Sequence, residues 1–125
     1  MKSKLVVTAA LLLFASLASA EEGILEPTQN PVAEYRLFNT KNIFTLLKLD
    51  TRDGRIWQVQ WGDKDHRFIQ PINLKALVSD GKVGRFTLYA TGNIYTFVLL
   101  DQEAGDAWYI QWGATPVTRF IVHID

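Results

Sequence analysis

Apolar and polar residues alternate with a period of two in short blocks along residues 35–124, a pattern that indicates β-strands rather than helices. One block sets large apolar residues against glutamines: Trp57, Val59 and Trp61 on one strand face, Gln58 and Gln60 on the other. Residues 43–49 are apolar on both alternations, which predicts a central strand covered on both sides. We therefore expect an all-β protein.

The alternating blocks occur twice, at a constant offset of 51 residues. Residues 42–62 and 93–113 are identical at ten of 21 positions, which include the glycines Gly54 and Gly105. Each glycine follows a Leu-Asp pair by a spacing that suits a short hairpin loop. Each copy should therefore form a four-stranded antiparallel meander, over residues 35–73 and 85–124. The joining residues 73–84 would suit one helical turn.

The aromatic faces of the two copies need cover, so we expect them to pack together about a pseudo-twofold axis. Trp57 and Trp108 would then be equivalent core residues. This predicts one β domain over residues 35–125, built as an eight-stranded barrel, because closure removes sheet edges and covers both faces of strand 43–49. The alternative is a two-sheet sandwich.

The first twenty residues predict a signal peptide. Two lysines precede an apolar block of 13 residues, and Ala18-Ser19-Ala20 is the small-x-small pattern of a cleavage site. Residues 21–34 carry two prolines and no apolar periodicity, so they predict an extended leader. We expect a protein that is secreted or periplasmic, and soluble after removal of the signal peptide.

Charge narrows the choice of partners. Without Lys2 and Lys4 the chain has 11 basic and 13 acidic side chains, with no clustered basic face. Nucleic-acid binding is therefore not expected, and no second apolar block predicts stable membrane insertion.

The sequence shows no catalytic or metal-binding pattern. The acids of the hairpin loops lack the spacing of a calcium loop and are interpreted as turn caps: Asp50, Asp53, Asp101, Glu103 and Asp106. His66 and His123 have no cysteine beside them, and the one serine after residue 20, Ser79, has no nucleophile-elbow glycines. We predict no cofactor, no metal and no enzymatic activity.

Two resemblances follow from the repeated motif. The Asp-x-x-x-Gly-x-x-Trp pattern resembles the hairpin of a quinoprotein-type propeller blade, although the tryptophan lies one residue closer to the glycine and two blades are too few for a propeller. The tandem arrangement over residues 35–124 resembles small secreted bacterial all-β proteins built from tandem repeats. That resemblance implies the fold and export, and it implies no activity.

Candidate binding residues are those at which the copies differ, together with the polar mid-strand positions that both copies retain. They are Gln58, Gln60, Tyr109, Gln111 and Arg55. We expect an exported non-enzymatic binding module, such as a protein inhibitor or an envelope factor that binds another protein. The alternative is a glycan-binding protein that uses exposed tryptophans, since aromatic rings with nearby amides suit sugars.

Overall fold

The computed structural model describes residue 30 and residues 32–125, so the predicted signal peptide and most of the predicted leader lie outside the described residues. The strands are β1 (Tyr35–Asn39), β2 (Thr45–Asp50), β3 (Ile56–Gln60), β4 (Phe68–Pro71), β5 (Phe86–Ala90), β6 (Thr96–Asp101), β7 (Ala107–Gln111) and β8 (Phe120–His123). A short 3₁₀ helix, Pro116–Thr118, precedes β8. No helix of the described part of the chain is long and apolar enough to cross a membrane.

The strands form two antiparallel meanders, which confirms the all-β fold and its two similar halves. Sheet A has the order β1-β2-β3-β4 and sheet B the order β5-β6-β7-β8. The joining residues 73–84 form turns and bends instead of the expected helical turn. They are held by Leu77, whose N–H donates to Asp53 O at 2.8 Å and whose side chain packs against the core.

The predicted eight-stranded barrel is wrong, and the sandwich alternative fits better. Among residues 32–125 every strand pairing lies within sheet A or within sheet B. The reason given for a barrel, cover on both faces of β2, does not hold. Its outer side is instead left open, with Phe44 45% exposed and Leu46 half-buried.

The two copies bury opposite faces, so the predicted pseudo-twofold packing of tryptophan faces is also wrong. Sheet A buries Leu47 and Leu49, whose repeat equivalents Val98 and Leu100 are half-buried on the outer side of sheet B. Sheet B buries Leu99, whose equivalent in sheet A is the partly exposed Lys48. Each copy therefore contributes a different alternation to the shared core.

Equivalent ends of the two sheets lie side by side. Lys41 Nζ donates to Gly92 O at 3.2 Å, and these residues occupy the same position in the two copies. A shallow pocket beside them is lined by Thr40 and by its equivalent Thr91. The copies are thus stacked front to back in the same direction, as in architectures that repeat four-stranded sheets radially.

The tryptophans follow this stacking. Trp112 in sheet B is 5% exposed, whereas its equivalent Trp61 in sheet A is 47% exposed. Trp57 and Trp108 are both half-buried, but Trp57 lies on the outer side of sheet A and Trp108 packs against the core. They are not equivalent core residues.

Of the five hairpin-loop acids, Asp50, Asp53 and Asp101 accept backbone N–H groups and so cap turns as predicted, and Asp50 and Asp101 are also buried. Asp50 Oδ1 accepts the Arg52 N–H at 3.0 Å, and Asp101 Oδ1 accepts the N–H groups of Glu103 and Ala104, each at 3.0 Å. Asp50 is 0% and Asp101 1% exposed. Buried carboxylates need charged partners, and arginines supply them.

Candidate functional site

A cleft of about 630 Å³ opens between the two sheets, and we call it the intersheet cleft. One wall is the inner side of sheet A, and the other is the end of β7 with the loop that follows it. It is lined by Asn42, Thr45, Gln58, Gln60, Asp65, His66, Phe68, Tyr95, Gln111, Trp112, Gly113, Ala114 and Thr118. Its size is in the range of small-ligand sites.

Gln58 lies on the inner face of sheet A because β3 turns its glutamines inward and its tryptophans outward. The side chain is 1% exposed, and its Oε1 accepts the Gly113 N–H at 3.0 Å. Its Nε2 has no hydrogen-bond partner among the described residues. Every fully buried side-chain nitrogen or oxygen in that part of the chain has a partner. The Gln58 amide nitrogen therefore reaches the cleft with its donors free.

Gln60 adds a second amide to the same wall. Its Oε1 accepts the Thr45 hydroxyl at 2.7 Å, which fixes the side chain in place. No protein acceptor within the described residues binds its Nε2 group. Two amide donors two residues apart on one strand thus face the same space.

Aromatic rings form the apolar part of the cleft. Tyr95 is 47% exposed, and its ring centroid lies 4.8 Å from that of Trp112. Trp112 Nε1 donates to Ile94 O at 3.1 Å, which holds the indole in one orientation. Phe68 lies on the sheet A side, with the Arg119 guanidinium 5.3 Å from its ring centroid. The cleft combines fixed ring faces with free amide donors.

The titratable groups of the cleft lie at its exposed edge. His66 Nδ1 is 2.7 Å from Asp63 Oδ1, and the two side chains are 75% and 66% exposed. The hydrogen bond from His66 holds the pKa of Asp63 below its usual value. Within residues 32–125, no group of three or more His, Cys, Asp or Glu side chains is placed to hold a metal ion.

The structure brings three of the five sequence-predicted residues together. Gln58, Gln60 and Gln111 all line the intersheet cleft, where Gln111 Nε2 also donates to Thr118 O at 3.1 Å. Tyr109 lies on the outer side of sheet B, where its ring packs edge-on against Phe120 at 6.3 Å. Arg55 lies in the loop between β2 and β3, where it forms ion pairs with Asp50 and Asp53.

Sequence reasoning missed Phe68 and Tyr95. The one available signal was that Tyr95 differs from its equivalent Phe44, since positions that differ between the repeats are candidates for a binding face. The glycan alternative relied on exposed tryptophans. Trp112 lines the cleft but is only 5% exposed, whereas its equivalent Trp61 is 47% exposed on the open side of sheet A.

A second surface also stands out, the outer face of sheet A. Its apolar members are Leu37, Leu46, Trp57, Val59, Trp61 and Ile69, which the strand register places on one side. Leu37, Trp61 and Ile69 are 42%, 47% and 56% exposed. Lys48 lies at its centre, with Nζ 4.7 Å from the centroid of Trp57. Exposed apolar surface of this kind marks interaction sites.

No known protein family matches this chain, and neither a curated protein nor a solved structure is significantly similar to it.

Proposed function

We propose that the protein is an exported, non-enzymatic binding module whose ligand is a neutral glycan held in the intersheet cleft. The observation that carries this proposal is the Gln58 amide, which is 1% exposed and keeps its Nε2 donors free toward the cleft. Because the rest of the side chain is enclosed, this donor faces the cleft in one orientation, so a ligand that accepts from it replaces water at a defined position.

The chemistry of the cleft favours sugars among small ligands. Hydroxyl groups both donate and accept, and so match the amides of Gln58 and Gln60 and the hydroxyl of Thr45. The exposed ring of Tyr95 offers a flat apolar surface for the C–H face of a pyranose. Among the residues that line the cleft, the acidic or basic side chains are Asp65 and His66, and both are exposed at its edge, so a neutral ligand fits the buried amides better than an ionic one.

Export is supported by the signal-peptide pattern of residues 1–20. A non-enzymatic role is supported by the position of Asp65 and His66, which are exposed at the edge of the cleft, away from the buried Gln58. Chemistry on a bound ligand would need a group that is both oriented and partly desolvated.

Binding of neutral oligosaccharides, measured by glycan array and then by calorimetry, tests this proposal. Gln58→Met keeps the approximate size of the side chain but removes the amide donors together with the acceptor of the Gly113 N–H, so we expect affinity to fall roughly ten- to hundredfold. The matched control is Gln70→Met, because Gln70 is an exposed glutamine paired with Gln58 on the neighbouring strand but does not line the cleft. Circular dichroism melts check that both variants fold. Absence of any glycan binding, or equal affinity of a folded Gln58→Met variant and wild type, would contradict the proposal.

A second candidate is a protein-binding role as an inhibitor or envelope factor, and the exposed apolar outer face of sheet A favours it. In this case the purified chain is a monomer, and it retains an envelope protein that the Trp61→Arg variant fails to retain. Trp61 is a suitable site for the substitution because it is 47% exposed and lies at the end of this face.

A further inference from the structure

The contact between sheets A and B within one chain uses two different surfaces. Sheet A contributes the alternation that contains Leu49, and sheet B contributes the alternation that contains Leu99. Because the copies are stacked in the same direction, each chain ends with one unused surface of each kind.

The outer face of sheet A is the repeat equivalent of the surface that sheet B buries. Trp61 corresponds to Trp112, which is 5% exposed, and Val59 corresponds to Ile110, which is 0% exposed. The residue types that form the buried side of the internal contact are therefore present again, uncovered, on the other side of the molecule.

The outer face of sheet B is likewise equivalent to the surface that sheet A buries. Leu100 corresponds to Leu49, and Val98 corresponds to Leu47; both residues of sheet A are 0% exposed. The outer face of sheet B is formed by six residues that the strand register places on the side away from the core: Tyr89, Val98, Leu100, Tyr109, Phe120 and Val122. All six are uncharged, and Tyr89 and Val122 are 53% and 40% exposed.

We propose that a second copy of this chain covers these surfaces, with the outer face of sheet A in one copy packed on the outer face of sheet B in the next. The new contact continues the contact that already exists inside each chain. Such a head-to-tail interface forms a ring where its rotation closes. Rings of four-stranded sheets hold about four to eight of them, which corresponds to roughly two to four chains.

Charge disfavours the pairing of two outer faces of sheet A. Lys48 Nζ lies 4.7 Å from the Trp57 ring centroid on this face. Two such faces would bring the Lys48 cations of both chains together, which opposes association. The six residues of the outer face of sheet B are uncharged and present no such repulsion. Pairing of two outer faces of sheet B would leave the apolar outer face of sheet A uncovered.

Lys48 is the main departure from the buried template, because its equivalent Leu99 is 0% exposed. In the interface its ammonium group would stay over the Trp57 ring, where Nζ already lies 4.7 Å from the ring centroid, and the attraction to the aromatic face offsets part of its desolvation. The inference is independent of glycan binding, since none of the surfaces used is the inner wall of the cleft.

The test is the molar mass in solution, measured by light scattering, of wild type and of two single-face variants. Trp61→Arg places a charge on the outer face of sheet A, and Tyr109→Arg places one on the outer face of sheet B; the side chains are 47% and 38% exposed. We expect wild type at two to four times the mass of one chain, and each variant alone as a monomer. An equimolar mixture should form a dimer, because each variant keeps the face that the other has lost.

Circular dichroism melts check that both variants fold. If Trp61→Arg does not fold, Ile69→Arg replaces it on the outer face of sheet A, and if Tyr109→Arg does not fold, Val122→Arg replaces it on the outer face of sheet B. Ile69 and Val122 are 56% and 40% exposed. A monomeric wild type would overturn the proposal and would leave the face to a foreign protein. Wild-type mass that rises without limit with concentration would exclude the ring. Association that survives Tyr109→Arg but not Trp61→Arg, without rescue on mixing, would show pairing of two sheet A faces instead.

Discussion

The buried carboxylate of Asp101 holds its hairpin loop together through hydrogen bonds to an arginine and to backbone N–H groups. Its carboxylate accepts from Arg85 Nε and Nη2, each at 3.0 Å. The Arg85 hydrogen bond lowers the pKa of Asp101 more than burial raises it, and backbone donors lower it further, so the pKa lies below its usual value. For Asp50, burial is the largest influence and raises the pKa, but the combined effects of Arg52 and Arg55 outweigh it.

These shifts predict acid sensitivity. The pKa of an aspartate in an unfolded chain is about 3.9. A carboxylate whose pKa is lower in the folded state stabilises the fold above about pH 3.9, and this stabilisation is lost as the pH falls through the pKa of the folded state. We expect the free energy of unfolding of wild type to fall from about pH 5 downward. Asp101→Asn should cost about 1–3 kcal/mol at pH 7, because Arg85 loses its buried partner but keeps the ion pair with the exposed Asp80 at 3.1 Å.

Chemical denaturation at pH 7 and at pH 3 measures both effects. The Asp101→Asn variant should show a shallower pH dependence than wild type, whereas Asp65→Asn, at an exposed position, should follow wild type. An unchanged pH dependence in Asp101→Asn would mean that the ion pair with Arg85 contributes nothing to acid stability.

At the same scale, the binding site could be predicted only in part. The glutamines were found because both copies retain Gln60 and Gln111, and because Gln58 differs from Tyr109. The face of β3 on which these glutamines lie was not predicted, because the tryptophans of the same strand were expected to be buried instead. In β3 the amides point inward and hydrogen-bond there, as Gln58 does with Gly113. Alternation states which residues share a face, but not which face meets the core.

Strands and hairpins were predictable from sequence because their signals are local. The alternation of apolar and polar residues predicted the positions of the eight strands. The positive φ angles of 82° at Gly54 and 84° at Gly105 explain why these two loops carry glycine. The extent of the core around each loop was not predictable, because it depends on which copy lies next to the joining segment.

The two glycines therefore predict different costs of substitution. A Cβ at Gly54 would lie 2.8 Å from Leu77 Cδ1 and 3.0 Å from Phe86 Cε1, whereas a Cβ at Gly105 meets nothing within 4 Å. We expect Gly105→Ala to cost roughly 1–2 kcal/mol from the left-handed backbone alone. Gly54→Ala should add about 1–3 kcal/mol from overpacking.

Urea denaturation of both glycine variants, read at an unchanged m-value, gives the comparison. Equal losses would mean that the side chains of Leu77 and Phe86 move aside freely to make room for a methyl group at residue 54.

For the whole molecule, the sequence predicted that the chain contains two repeats, but it did not predict how the two repeats pack against each other. The constant offset established two equivalent meanders, and symmetry of sequence suggested symmetry of burial. Front-to-back stacking breaks that equivalence, because the inner face of one sheet meets the opposite alternation of the other. The sequence signal for this difference in burial was Lys48, which occupies the repeat position of Leu99. A lysine is a poor equivalent of a fully buried leucine.

Opposite burial of the two copies is the central claim, and two identical residues test it most directly. Leu49 and Leu100 occupy the same position of the repeated Leu-Asp motif; Leu49 is 0% exposed in the core, and Leu100 is half-buried on the outer side. The measurement is the free energy of unfolding of Leu49→Ala and Leu100→Ala in the Trp61→Arg background, which we expect to prevent the proposed pairing of separate chains. We expect a loss of about 2–5 kcal/mol for Leu49→Ala and less than half of that for Leu100→Ala. Equal losses would contradict front-to-back stacking and restore a symmetric core.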